Sequence, residues 1–160
     1  MPSNHFDDSG HARMVDVSGK SVTRRIAVAS ADIAMNAEAA ATVRQGGGRK
    51  GDVLAVARLA AIGASKWTPH LIPLCHAIPI EAVEVDFQWN DNPQNGESLR
   101  CRVTCQTTAK TGIEMEAMTA ASIAALTVYD MLKSVDRGLV IGPVQLEHKT
   151  GGASGHWQRG

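Results

Sequence analysis

The segment EMEAMTAASIAALTVYDMLKSVDR, which begins at residue 114, limits the possible folds of this chain more than any other feature. Its composition predicts a helix over about residues 114–136, ending before Gly138. A helix that lies on a sheet normally keeps one polar face, but residues 117–128 are apolar or small nearly all round. We therefore expect this helix to be covered on both sides, by its own sheet on one side and by a second subunit on the other.

A β-hairpin precedes this helix. In AVEVDFQW, apolar residues from Val83 to Trp89 alternate with polar ones, and LRCRVTCQT repeats the alternation from Leu99. The sequence NDNPQNG between them has the composition of a turn. One face of the hairpin is therefore apolar, and the other can pair acidic residues with arginines across the strands.

Two further strands are expected at residues 23–35 and 139–148, and two helices at residues 36–45 and 52–67. Asp52 is a suitable N-cap for the second helix, and Thr68-Pro69 should end it. If the two early helices count as one excursion, the order is β-α-β-β-α-β. This order predicts an α+β fold, a ferredoxin-like plait with an antiparallel four-stranded sheet and helices packed on one face.

Length and charge set the organisation of the chain. Its 160 residues suit a flexible N-terminal arm over residues 1–13 and a single domain over residues 14–160. The 16 Lys and Arg residues balance 16 Asp and Glu residues, whereas binders of nucleic acids or anionic membranes carry a basic excess. No run reaches the roughly 20 apolar residues of a membrane span, and the first residues lack the apolar core of a secretory signal.

Three cysteines, an odd number, suit a reducing compartment better than a disulfide framework, so we expect a cytoplasmic protein. Cys101 and Cys105 lie in a predicted strand, where their Cα atoms would be about 13 Å apart. That separation is too large for both thiols to bind one ion unaided, and no metal site is expected.

The segment LIPLCHAIPI places Cys75 and His76 between Pro73 and Pro79. The prolines exclude a regular helix or a central strand, so the pair lies in a loop. Cys75 taken alone indicates a small buried apolar residue. His76 taken alone fits a hydrogen-bonded core imidazole and a general acid or base equally well.

Asp130 and Lys133 follow the apolar stretch of the long helix at positions i and i+3. On an exposed helix such a pair is a weak surface ion pair. On a helix that is buried all round it must be desolvated, which is typical of a functional site. We favour the second interpretation.

Other charged residues lie next to helix starts or glycines. Lys50, in GGGRKGD, precedes a helix N-terminus that can bind phosphate, although an ordinary turn is the commoner explanation. Glu114 and Glu116 begin the long helix, where capping alone would account for acidic residues. The tripeptide KTG occurs twice, starting at Lys110 and at Lys149, and joins a cation to flexible backbone.

Four segments together resemble the cyclic pyranopterin monophosphate synthase family, also called the molybdenum cofactor biosynthesis protein C family. They are MVDVSGK, RKGDVLAVARLAAIGASKWTPHLIPLCH, KTGIEMEAMTAASIAALTVYDMLK and GPVQLEHKTGGASG. The resemblance runs from about Met14 to about Gly155. The family usually has proline where this chain has Ala77.

The resemblance implies an enzyme that converts 3′,8-cyclo-7,8-dihydroguanosine 5′-triphosphate into cyclic pyranopterin monophosphate and pyrophosphate. It implies no cofactor, and a homohexamer, a trimer of dimers, with active sites between subunits. Asp130, Lys133 and Lys50 match catalytic positions. The positions that match substrate contacts are Leu74, Cys75, His76, Glu114, Met115, Glu116 and Lys149.

Two other functions are compatible with the predicted fold. A nucleotide-binding regulatory module would need a pocket but no Asp130–Lys133 pair. An RNA-binding plait would stack bases on exposed strand aromatics, whereas Phe87 and Trp89 lie on the apolar face of the hairpin. Both alternatives are weaker than the enzyme.

Overall fold

A computed structural model of the chain describes residues 5–47, 51–90 and 96–160. The elements in chain order are β1 (Thr23–Met35), α1 (Ala37–Arg44), α2 (Val53–Leu71), β2 (Ala82–Trp89), β3 (Glu97–Ala109), α3 (Glu114–Leu132), β4 (Val140–Thr150) and β5 (Trp157–Gln158).

The strands form one antiparallel sheet in the order β2-β3-β1-β4-β5. The central strand β1 pairs with β3 along its whole length, from Thr23 opposite Ala109 to Met35 opposite Glu97. Its other edge pairs with β4. The predicted α+β class is confirmed. The short strand β5 is not predicted by the sequence, because two residues are too few to show an alternating pattern.

The hydrophobic core lies between the sheet and the helices. Alternate residues of β1, from Ala27 to Met35, are buried in it with residues of all three helices. On α3, the face that packs on the sheet and on α2 consists mostly of alanines (Ala117, Ala120, Ala121, Ala124 and Ala125). These small side chains let the backbone of α3 approach the sheet closely.

The surroundings of α3 differ from the expectation in one respect. Helix α2 of the same chain packs against α3 and buries part of its apolar surface, so the apolar character of α3 does not by itself require a second subunit. Leu126 remains 54% exposed. The helix also ends at Leu132, earlier than predicted, because the N–H groups of Val135 and Asp136 both turn back to the Leu132 carbonyl.

The hairpin β2–β3 confirms the alternation read from the sequence. Phe87 and Trp89 pack against the core, so these rings do not provide an open platform for stacking bases. The strongest charge pair on the opposite face joins β3 to β1 and not to β2. There Arg100 makes two hydrogen bonds of 2.7 Å to Asp32, which lies directly opposite in the register.

Helix α2 begins as predicted and ends later. The Asp52 side chain accepts a hydrogen bond of 3.0 Å from the N–H of Ala55, which confirms the N-cap. The predicted stop at Thr68-Pro69 is wrong, since the helix continues to Leu71. Proline costs the last turn one hydrogen bond, and the N–H of Ile72 still closes that turn on the Thr68 carbonyl.

The N-terminal residues 5–13 form a short turn with a bridge between Phe6 and Ala12 and a bond of 2.8 Å from the Arg13 N–H to the His5 carbonyl. None of the helices in the described part of the chain combines the length and the apolar character needed to cross a bilayer.

Candidate active site

The loop after α2 carries the first group of predicted site residues. It has no regular structure between Ile72 and Glu81, as its prolines require. The Cys75 N–H bonds to the Ile72 carbonyl at 3.1 Å, and the Thr107 hydroxyl of β3 donates to the Pro79 carbonyl. These bonds fix the loop to α2 at one end and to the sheet at the other.

His76 joins this loop to the N-terminal segment. Its Nε2 atom lies 2.7 Å from the Val15 carbonyl oxygen. A carbonyl can only accept a hydrogen bond, so Nε2 must carry the proton. Of the two neutral tautomers of His76, the contact therefore selects the one that is protonated on Nε2.

The first turn of α3 supplies the second group. Glu114 accepts a hydrogen bond of 2.8 Å from the Lys149 ammonium group, and both side chains are 27% exposed. Gly112 makes this arrangement possible, because a Cβ atom at that position would overlap the Glu114 carboxylate.

These two groups line one cavity of about 420 Å³. We call it the thiol pocket, and its predicted lining residues are Leu74, Cys75, His76, Glu114, Met115 and Glu116. The structure thus brings together six of the seven predicted substrate contacts, from two distant parts of the chain. The seventh, Lys149, touches the same site through Glu114.

Burial changes the acid–base properties of the thiol pocket. Glu116 is 3% exposed, and burial, with a smaller contribution from the charge of Glu114, raises its pKa to about 7. Burial and the two glutamates also raise the pKa of the Cys75 thiol. At neutral pH the pocket therefore contains a neutral thiol and a carboxyl group that keeps its proton about half of the time.

A second cavity of about 600 Å³ adjoins the first. We call it the basic pocket, because it is lined by Lys20, Arg25, Lys110 and Lys149. The two pockets share Lys20, Thr111, Gly112 and Glu114. Four cations around one concave surface are suited to a polyanionic ligand.

Sequence reasoning missed Lys20 and Arg25 as site residues. Arg25 is held by bonds from its Nε to the Ala109 carbonyl (3.0 Å) and from its Nη2 to the Lys110 carbonyl (3.1 Å). Its guanidinium also lies so close to Gly152 that a Cβ atom there would overlap it. The available signals were the lysine that ends MVDVSGK and the strand position of Arg25, and neither is specific alone.

Asp130 and Lys133 lie elsewhere. Asp130 is 16 residues after Glu114 on α3, which corresponds to about 24 Å along the helix. The two side chains form an ion pair of 2.7 Å and are 58% and 53% exposed. The expected desolvation of this pair is therefore wrong for the isolated chain, and the hydrogen bond to Asp130 raises the pKa of Lys133. Lys50 lies outside the described residues.

The remaining cysteines have no place in either pocket. Cys101 and Cys105 are buried in the core, where burial raises the pKa of each thiol to about 12. Across residues 5–47, 51–90 and 96–160, no group of three or more His, Cys, Asp and Glu side chains is placed to hold a metal ion.

The chain is similar to known proteins over nearly its whole length. The model of the MoaC family matches residues 14–152. The cyclic pyranopterin monophosphate synthase of Rhodopirellula baltica is 61% identical, over 98% of this chain and 93% of its own. Proteins of the same name from Geobacter metallireducens (52% identical, 99% and 98% covered) and Brevibacillus brevis (49% identical, 98% and 95% covered) are also similar. The chain therefore belongs to the MoaC family.

Proposed function

We propose that this chain is an enzyme of molybdenum cofactor biosynthesis that converts 3′,8-cyclo-7,8-dihydroguanosine 5′-triphosphate into cyclic pyranopterin monophosphate and pyrophosphate. The observation that carries the proposal is the junction of the thiol pocket and the basic pocket at the Lys149–Glu114 pair. The names of the relatives point to the same reaction. The substrate has a purine-derived part and a triphosphate, and the two pockets match these parts.

The basic pocket would bind the triphosphate. Hydrogen bonds from charged donors to phosphate oxygens are roughly twice as strong as neutral ones. Arg25 is already oriented by two backbone carbonyls, so little side-chain freedom would be lost on binding. Closing the cyclic phosphate expels pyrophosphate, and the same cations would stabilise the charge on that leaving group.

The thiol pocket would hold the purine-derived ring. Opening that ring by hydrolysis and recondensing it requires groups that give and take protons. Glu116, with a pKa of about 7, can do both near neutral pH. His76, which the Val15 carbonyl orients, is a second group that can donate or accept a proton. Cys75, whose thiol stays neutral, would contact the ring without acting as a nucleophile.

Asp130 and Lys133 would complete the site from a second subunit, and we propose Lys50 as the third catalytic residue. Within one chain the Asp130–Lys133 pair is about 24 Å along α3 from the thiol pocket, so one chain cannot use both in one reaction. A homohexamer, a trimer of dimers, would bring the Asp130–Lys133 pair of one subunit to the thiol pocket of another. The exposed apolar side chains on α2 and α3 support such an assembly, namely Val56, Leu59, Trp67, Leu71 and Leu126.

Light scattering should give six times the chain mass of 16.9 kDa, and a monomer at micromolar concentration would contradict the proposed hexamer.

Three other features belong to this proposal. The order β2-β3-β1-β4 with antiparallel pairing supports a ferredoxin-like plait to which β5 is added at one edge. The shared core of sheet and helices supports a single catalytic domain over residues 14–160. A cytoplasmic location is supported by three cysteines that all carry free thiols in the described part of the chain.

The direct test is incubation of the purified protein with the cyclised dihydro-GTP, with detection of pyrophosphate and of the pterin product. Arg25→Ala should raise KM by roughly tenfold or more, because a lost hydrogen bond to a charged group costs about 1.5–3 kcal/mol. Arg24→Ala is the matched control. Arg24 is the neighbouring residue on β1, and its guanidinium donates a hydrogen bond to the Gln106 side chain on the other face of the sheet. No product from the wild-type protein, or equal effects of the two variants, would refute the proposal.

A further inference from the structure

The chain doubles back after β4 and adds its last strand to the outer edge of that strand. In this register His148 is opposite Gln158 and Lys149 is opposite Trp157. The N–H of Arg159 donates to the Glu147 carbonyl at 2.9 Å, which extends the ladder by one pair. The C-terminal residues thus cover the part of β4 that carries a lysine of the basic pocket.

The register determines which backbone groups meet. In an antiparallel ladder, hydrogen-bonded pairs alternate with non-hydrogen-bonded pairs. Because Arg159 bonds Glu147, the next hydrogen-bonded pair is Trp157 with Lys149. The N–H and C=O of one strand residue point to the same side, so the backbone groups of Lys149 point to β5 and away from β1. Strand β5 therefore supplies the ladder partners of Lys149.

Side chains hold this strand in place. His148 Nε2 and His156 Nδ1 are 3.2 Å apart, with ring centroids at 4.7 Å. Arg159 Nε donates to the Leu146 carbonyl at 2.8 Å, and its guanidinium lies 5.7 Å from the centre of the Trp157 ring. These contacts fix the strand at both ends.

The loop between β4 and β5 lines the basic pocket with Gly152, Ala153 and Ser154. At Gly151, where φ is +96°, a Cβ atom would overlap the Arg24 carbonyl. At Gly152 a Cβ atom would overlap the Arg25 guanidinium. The loop therefore packs tightly on β1, and its two ends are set by β4 and β5.

We infer that β5 is a positioning strand for the basic pocket: it fixes the backbone of Lys149 and the loop 151–155 where the substrate's triphosphate binds. This inference rests on the proposed function. The Lys149 side chain is fixed at its tip by Glu114, and β5 fixes the other end of the same residue. The strand contributes to triphosphate affinity and leaves the ring chemistry in the thiol pocket unchanged.

Two proline variants separate this role from a general effect on the tail. Trp157→Pro removes the N–H that faces Lys149. Gln158→Pro makes the same backbone change one residue later, where the N–H of an edge strand points to solvent. We expect Trp157→Pro to raise KM by about tenfold, which corresponds to the loss of about one hydrogen bond. Its kcat should stay within about twofold of wild type. Gln158→Pro should stay within about twofold of wild type in both.

Binding of inorganic tripolyphosphate, measured by calorimetry, gives a readout without turnover. It should weaken in Trp157→Pro by the same factor as KM rises. In a Lys149→Ala background, Trp157→Pro should have a smaller effect than in the wild-type protein, because the part that acts through Lys149 is already lost. Equal KM effects of the two prolines, or a full effect of Trp157→Pro without Lys149, would overturn the inference.

Two further controls keep the result decisive. If Trp157→Pro loses its circular dichroism signal, the comparison is repeated at the bond to Glu147. Arg159→Pro removes the N–H that makes this bond, and Arg159→Ala is its control because it keeps that N–H. Tripolyphosphate that fails to bind the wild-type protein would refute the proposed function of the basic pocket. Tripolyphosphate that binds wild type and Trp157→Pro equally would refute the role of β5 alone.

Discussion

Replacing Glu116 by glutamine should change how the stability of this protein depends on pH. The native pKa of Glu116 is about 7, against an ordinary value of 4.5, and burial is the main cause. Between these two pH values the native carboxyl group keeps its proton while the unfolded one has lost it. The native state then binds more protons, so the free energy of unfolding falls as pH rises.

The magnitude follows from the two pKa values. Each pH unit between them lowers the free energy of unfolding by about 1.4 kcal/mol, which gives roughly 3 kcal/mol over the whole interval. Below pH 4.5 both states are protonated and the cost vanishes; above pH 7 it is fully present. Glu116→Gln cannot ionise, so its advantage over wild type should grow by roughly 3 kcal/mol between pH 4 and pH 8.

Urea unfolding followed by circular dichroism measures this difference, with both proteins at one concentration so that assembly affects them equally. Glu38→Gln removes an exposed glutamate from the first turn of α1 and corrects for the loss of one negative charge. If the difference between Glu116→Gln and wild type is the same at every pH, the carboxyl group is solvated and the reasoning about the thiol pocket is wrong.

Five other substitutions test the assignment of roles. His76→Ala should lower kcat by about 10² or more. Cys75→Ser should keep substantial activity, because the Cys75 thiol of the wild-type protein stays neutral. A covalent adduct on Cys75 during turnover would reverse this ranking. Lys50→Ala should fold normally, as judged by circular dichroism, and lose activity. Near wild-type turnover would show that Lys50 is not a catalytic residue. Asp130→Asn and Lys133→Ala should each lose at least about 10² in rate and remain hexamers by light scattering. Asp130 raises the pKa of Lys133, so we expect Lys133 to act as a cation. The double variant should be hardly worse than the poorer single variant, because the two residues act as one unit. Losses in rate that multiply would show independent roles.

Local patterns predicted most of the fold. The bounds of β1 agree with residues 23–35, and the hairpin follows the alternation from Val83 to Trp89. These elements are set by short-range periodicity, which a sequence displays directly. The end of α2 at Leu71 was not predictable in this way, because a proline in the last turn is compatible with both a stop and one more turn.

The site was predictable only through the family motifs. The placement of Cys75 and Glu116 in one pocket depends on how the loop after α2 meets the start of α3, and no spacing rule relates these two segments. Lys20 and Arg25 are ordinary cations until the sheet register and the loop after β4 bring them together. Strand β5 depends on a return of the chain that only tertiary contacts reveal.

Alanines make up much of the core that β1 and α3 share, with Ala29 and Ala31 on the strand and Ala117, Ala121 and Ala124 on the helix all fully buried. These positions cannot exchange one medium-sized side chain for another, because only alanine fits. Every substitution except glycine adds volume, which typically costs about 1–3 kcal/mol in a packed core, and glycine in the helix costs about 1 kcal/mol. Substitutions at these positions are therefore expected to lower the stability of the protein. The strand that carries Arg25 and the helix that carries Glu116 keep a fixed spacing, because the residues that set it accept almost no replacement.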